Sequence, residues 1–141
     1  MDRAALEEWI GQYERAWRSA GTSQLAELFA TDATYSMAPF EEPHRGLAAI
    51  ERLWEAERAG PDEEFTVETE IVAVEGDTGV VRAEVVYAAP PRSYRDLWIV
   101  RFDERGRCLA FEEWPFWPAE GPSNTVLLAL RIGSLRRRMA K

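Results

Sequence analysis

The sequence predicts an α+β fold: a curved, cone-shaped antiparallel sheet packed against three N-terminal helices, with a C-terminal helical extension. Three observations predict it. Apolar residues recur at helical spacing through the first half of the chain, the period changes to two in the second half, and turn-forming residues separate four β-rich runs there. Such a meander buries one face under the helices, and when it curves it leaves a hollow between sheet and helices.

Each element has a local cause. Leu6, Trp9, Ile10, Tyr13, Ala16 and Trp17 recur at helical spacing, and Gly21 follows where a C-terminal cap belongs. Thr22 or Ser23 caps a short second helix through Leu25, Leu28 and Phe29, because a hydroxyl there satisfies a free backbone N–H. Thr34-Tyr35-Ser36-Met37 alternates like a strand until Pro39 stops it, and the loop from Pro39 to Arg45 holds Phe40 and His44. After Gly46, the residues Leu47, Ile50, Leu53 and Trp54 predict a third amphipathic helix, ended by Gly60-Pro61. The β-rich runs are Phe65–Glu75, Gly79–Tyr87, Tyr94–Asp103 and Arg107–Phe116.

The composition narrows the function. A chain of 141 residues, 46% apolar and 30% charged, has the size of one domain that buries most of its unfolded surface. With 25 acids against 17 bases, the net charge of -8 repels a polynucleotide backbone, so no nucleic-acid partner is expected. One cysteine, Cys108, excludes an internal disulfide, and one histidine, His44, excludes metal sites built on two or more imidazoles. No metal and no cofactor are expected. The first ten residues carry Asp2, Glu7 and Glu8 and lack the apolar core of a signal peptide, and no run is long enough to span a membrane. With the unpaired Cys108, this predicts a cytoplasmic protein.

Charge also divides the chain. Residues 1–118 hold 12 bases and 24 acids, residues 119–141 five bases and one acid, and prolines and a glycine punctuate 118–122. The expected organisation is a cone domain over 1–118 and a basic, helical extension over 119–141, in which Leu128, Ile132, Leu135 and Met139 form one stripe. Such a helix docks on the acidic body or makes a peripheral membrane or partner contact.

Three segments carry a resemblance to a known family. They are Tyr13 to Trp17 with Leu28 to Thr34, Arg45 to Ile50, and Asp96 to Asp103 with Gly106-Arg107. Together they resemble the SnoaL-like, ketosteroid isomerase-like branch of the nuclear transport factor two-like superfamily, over about residues 5–117. The resemblance implies a cone fold, often dimeric, whose members include isomerases, polyketide cyclases, dehydratases, epoxide hydrolases and pocketed proteins without known activity. Fold alone does not choose among them.

Carried over residue by residue, the steroid isomerase pattern keeps its phenol donor at Tyr13 but finds Met37 at the general-base position and Trp98 at the protonated-acid position. That mechanism is not expected here. If Trp98 faces inward, as the resemblance implies, the period-2 rule turns Asp96 and Val100 the same way, and Phe111, Glu113 and Pro115 face them from the last strand. Glu113 is similar to the last-strand acid of cyclase-like and epoxide-hydrolase-like relatives. Two carboxyls in an aromatic cavity disfavour double ionisation, so one can act as acid and the other as base.

Plainer readings stand beside these. Asp96 can pair with Arg92, Arg95 or a turn amide; a one-residue slip would turn Glu112 inward instead of Glu113; Arg82 and Glu84 alternate onto the opposite face. His44 is either a proton shuttle at the cone mouth or a solvated loop residue. The candidate catalytic residues are Asp96, Glu113 and Tyr13, and the candidate ligand-binding residues are Trp17, Met37, Phe40, His44, Trp54, Tyr87, Trp98 and Phe111. The expected partners are an apolar small molecule and a second copy of the chain.

Overall fold

A computed structural model describes residues 1–58 and 62–119. Helix α1 spans Arg3–Arg18 and is capped by Asp2, whose carboxylate accepts from the Ala5 amide at 2.8 Å. Its buried face is Leu6, Trp9, Ile10, Tyr13 and Ala16. The helix closes at Ser19, before Gly21, because Ser19 Oγ takes the Arg15 carbonyl at 2.6 Å and Arg58 takes the Ala16 carbonyl at 3.0 Å. Gly21 makes the left-handed turn that follows, with φ 74°.

The second helix, α2 over Leu25–Leu28, is a single turn led by Gln24 without a side-chain cap. Thr22 and Ser23 do not cap it, and Phe29 belongs to the next strand. The reason is tertiary: in the sheet Phe29 is almost fully buried, with its ring edge-on to Trp9 at 5.9 Å. Strand β1 covers Phe29–Ser36, and a two-residue strand β2, His44–Arg45, pairs back onto it within the expected loop. Gly46, at φ 89°, turns the chain into α3, Leu47–Glu57. The expected helix stop at Gly60-Pro61 and the extension from residue 120 onward lie outside the described residues.

Strands β3 (Phe65–Glu75), β4 (Thr78–Tyr87), β5 (Arg92–Phe102) and β6 (Cys108–Phe116) form the expected meander. The six-stranded sheet runs β2-β1-β6-β5-β4-β3, antiparallel throughout except that β1 lies parallel beside β6. A register shift between Ile71 and Ala73 leaves Val72 unpaired and bends β3, which helps the sheet curve. Across β5 and β6, Trp98 lies opposite Glu113 and Val100 opposite Phe111. Asp96, Trp98, Val100, Phe111 and Glu113 are all buried on the concave face, while Arg82 and Glu84 are exposed on the convex one.

Most of the core fills one end of the cone. Leu6, Trp9, Phe29, Val100, Phe102, Cys108 and Phe111 pack there. Leu6 packs directly over Gly79, where an added Cβ would lie 2.5 Å from its side chain. The other end carries a smaller cluster of Phe65, Val85, Tyr87 and Tyr94, with Trp17 packed against both clusters.

Candidate active site

Between α1, α3 and the concave face lies a narrow cleft with about 50 Å³ of internal space. Tyr13 and Trp17 enter it from successive turns of α1, since residues four apart share a helix face. Trp54 comes from α3, Met37 from just beyond β1, Tyr87 from the end of β4 and Glu113 from β6. The ring of Tyr13 stands nearly perpendicular to Trp54 at 5.3 Å and to Trp17 at 6.2 Å, an edge-to-face arrangement that holds the phenol rigid.

A directional run of hydrogen bonds occupies the inner end. Tyr35 donates its hydroxyl proton to Glu113 Oε2 at 2.8 Å. Its contact with the Tyr13 hydroxyl, at 3.0 Å, must therefore use the Tyr13 proton, because a phenol has only one. Glu113 is electrostatically coupled to Asp96, and Asp96 Oδ2 accepts from the Trp98 indole at 3.3 Å. Asp96 and Glu113 are diagonal neighbours across β5 and β6, near enough for two long acids to meet.

Burial governs the electrostatics. Asp96 and Glu113 are 6% and 5% exposed. Desolvation raises the pKa of Glu113, opposed by the hydrogen bonds from Tyr35 and Asp96. Asp96 is pushed up to about 9, first by burial and then by the charge of Glu113. Two carboxyls this close do not ionise together. Asp96 Oδ1 has no hydrogen-bond partner among the described residues, and the pair holds one proton between them, on Asp96. Burial, followed by the Glu113 charge, also holds Tyr13 and Tyr35 well above the usual phenol range, so both remain hydroxyls.

The other expected site residues divide into groups. Asp96 lies beside Glu113 on a smaller void it shares with Tyr94 and Val85. Trp98 and Phe111 lie under the floor, packed on Tyr13 at 5.3 Å each. His44 is half-buried in β2, opposite Tyr35 in the strand register and off the cleft wall. Phe40 is fully exposed and does not reach the cleft, because the loop after Pro39 turns outward before β2.

The structure adds residues that the sequence reading missed. Tyr35 is the most important, and alternation held the signal: two residues before Met37, it must share that residue's face. Leu53, Glu57, Arg58 and Glu63 complete the wall and rim. Arg58 donates to the carbonyls of Ala16, Ser19 and Gly21, tying the end of α1 to the end of α3. Burial raises the pKa of Glu63, with Arg92 opposing. Among the described residues no cluster of three or more metal-ligating side chains occurs, and no helix is long and apolar enough to cross a membrane.

Comparison with known proteins agrees with this architecture. A candidate polyketide cyclase from Sinorhizobium meliloti is 27% identical, with a TM-score of 0.58 over 77% of this chain and 97% of that one. A steroid delta-isomerase from Pseudomonas aeruginosa is 21% identical, with a TM-score of 0.57 over 93% of this chain and 88% of that one. The CaMKII hub of S. rosetta is 16% identical, with a TM-score of 0.60 over 80% of this chain and 95% of that one. The last two share the fold alone, and the spread of their descriptions shows how little fold decides about activity. No curated protein matches. The model of the SnoaL-like domain matches residues 10–110, from within α1 into β6, and on that match the chain belongs to the SnoaL-like domain family.

Proposed function

We propose that the protein binds an apolar small molecule in the cleft and performs cofactor-independent acid/base chemistry on it, of the cyclase, isomerase or dehydratase kind, on a carbonyl or polyketide-like compound. The observation that carries this reading is the buried Asp96–Glu113 pair, linked through Tyr35 to Tyr13 at the inner end of an aromatic cleft. Glu113 faces the ligand and takes and returns the ligand's proton as a base, and Asp96 keeps the one proton that the pair shares. Tyr35 orients Glu113. Tyr13 turns its hydroxyl from Tyr35 to a ligand oxygen and stabilises charge as it develops there. Trp17, Trp54 and Tyr87 shape the cavity and exclude water. Met37 and Trp98 stand where a steroid isomerase needs acids, which argues against that particular route.

The test is solvent-deuterium incorporation next to the carbonyl in a panel of apolar ketones. Wild type should accelerate exchange, Glu113→Gln should abolish it, and Asp96→Asn should slow it. Equal exchange by all three folded proteins would defeat the acid/base reading. Tryptophan quenching by the same ketones without exchange would leave a noncatalytic ligand-binding domain, a reading that Met37 and Trp98 favour.

We further propose a homodimer through the convex sheet face, in a reducing cytoplasm consistent with the buried thiol of Cys108. Val72, Val86 and Phe116 are exposed on that face at 43%, 40% and 57%, and Arg82, Glu84 and Arg95 line a broad trough there. Sedimentation of wild type against Phe116→Glu should show a dimer and a monomer respectively; a monomeric wild type would overturn this.

A further inference from the structure

The polar groups at the inner end of the cleft select among ligands. Tyr35 gives its proton to Glu113 and Tyr13 gives its proton to Tyr35, so both phenols and the carboxylate turn lone pairs toward the cleft. A ligand carbonyl meets no donor there until Tyr13 turns, whereas a hydrogen-bond donor fits the resting order. Among the described residues, no arginine forms an ion pair with Glu113 or Asp96. A buried carboxylate without a cation is costly, and a ligand that brings one relieves that cost. The walls also suit a cation, because the negative faces of aromatic rings attract positive charge. Of the charged groups on the rim, Glu57 and Glu63 are acidic, while the guanidinium of Arg58 is already committed to three carbonyls.

We propose that the occupant is an apolar molecule bearing a protonated amine, with its ammonium on Glu113 and the Tyr13 and Tyr35 oxygens and its body against Trp17, Trp54 and Tyr87. This names the ligand class of the cleft and rests on reading the cleft as a ligand site. An amino ketone would meet both the donor order and the acid/base chemistry. An anionic ligand is excluded by the same carboxylates. The ammonium pairs with the Glu113 carboxylate while Asp96 keeps the shared proton, so no proton need leave, and affinity falls only as Glu113 gains a proton at low pH or the amine loses its own at high pH. The groups facing Glu113 are Tyr13 from α1, Tyr35 from β1, Tyr87 from β4 and Asp96 from β5; Glu57, Arg58 and Glu63 stand at the rim, and Arg92 lies over the Tyr87 ring at 4.6 Å.

The experiment titrates the full chain with phenethylamine, 2-phenylethanol and phenylacetate, following tryptophan fluorescence and calorimetric heat in two buffers at about pH 6 and about pH 8. The amine should bind at least about tenfold more tightly than the alcohol. At about pH 8 it should bind without net proton release, and phenylacetate should not bind. Glu113→Gln, shown folded by circular dichroism, should bring the amine-to-alcohol ratio near unity. The comparison in wild type needs no variant. Alcohol binding as tight as amine binding, or an amine advantage that survives Glu113→Gln, overturns the amine assignment and leaves the ligand cleft standing. No binding by any of the three overturns both.

Discussion

The two ends of the cone share the same helix and sheet but use them differently. At the closed end, Leu6 and Trp9 of α1 meet Phe29, Phe102 and Cys108, and the polar indole nitrogen of Trp9 is satisfied by the Leu28 carbonyl at 3.0 Å. At the open end, two turns further along α1, Tyr13 and Trp17 face a cleft, a carboxyl pair and a chain of hydroxyls. Stability is concentrated where the interior is dry and packed. The other end keeps buried polar groups that work against stability but can exchange protons, a division common at functional sites.

The largest effect should come from Phe111, which joins the two ends: it is fully buried and touches the rings of Trp9, Tyr13, Tyr35 and Trp98. Phe111→Ala should cost about 3–5 kcal/mol in chemical denaturation. A loss below about 1 kcal/mol would mean the ends do not share a core. Next comes pH. Because the pKa of Asp96 is raised in the folded state, the native protein holds more protons than the unfolded chain, so stability falls as pH rises from about 4 toward 9. Asp96→Asn should flatten that slope, and an unchanged slope would place the proton uptake elsewhere.

Smaller effects test the closed end alone. Gly79→Ala pushes a methyl into Leu6, which is too buried to swing aside, and should cost about 1–3 kcal/mol while leaving ligand titrations unchanged. Asp2→Ala removes the α1 cap and should lower stability by about 1 kcal/mol. Phe40→Ala should change stability by no more than about 0.5 kcal/mol and leave binding intact, since its side chain is fully exposed. A loss of ligand affinity there would return Phe40 to the site.

How far these features could be read in advance depended on how local their causes are. The alternation in β4, β5 and β6 identified the buried faces, and with them Asp96 and Glu113 as inward neighbours. Tyr35 obeys the same rule in β1, two residues before Met37 on the same face. The rim could not be read this way: Glu57 at the end of α3, Arg58 just after it and Glu63 before β3 come together only in the fold, where Arg58 is held by the carbonyls of Ala16, Ser19 and Gly21.

Period and turn chemistry, both local properties, were sufficient for the α+β class, the meander and the face each acid takes. The pairing of β1 alongside β6, the shortening of α2, the outward turn of Phe40 and the order of protons from Tyr13 to Glu113 arose only in three dimensions. Each depends on which distant groups desolvate one another, and burial and charge act through space rather than along the chain.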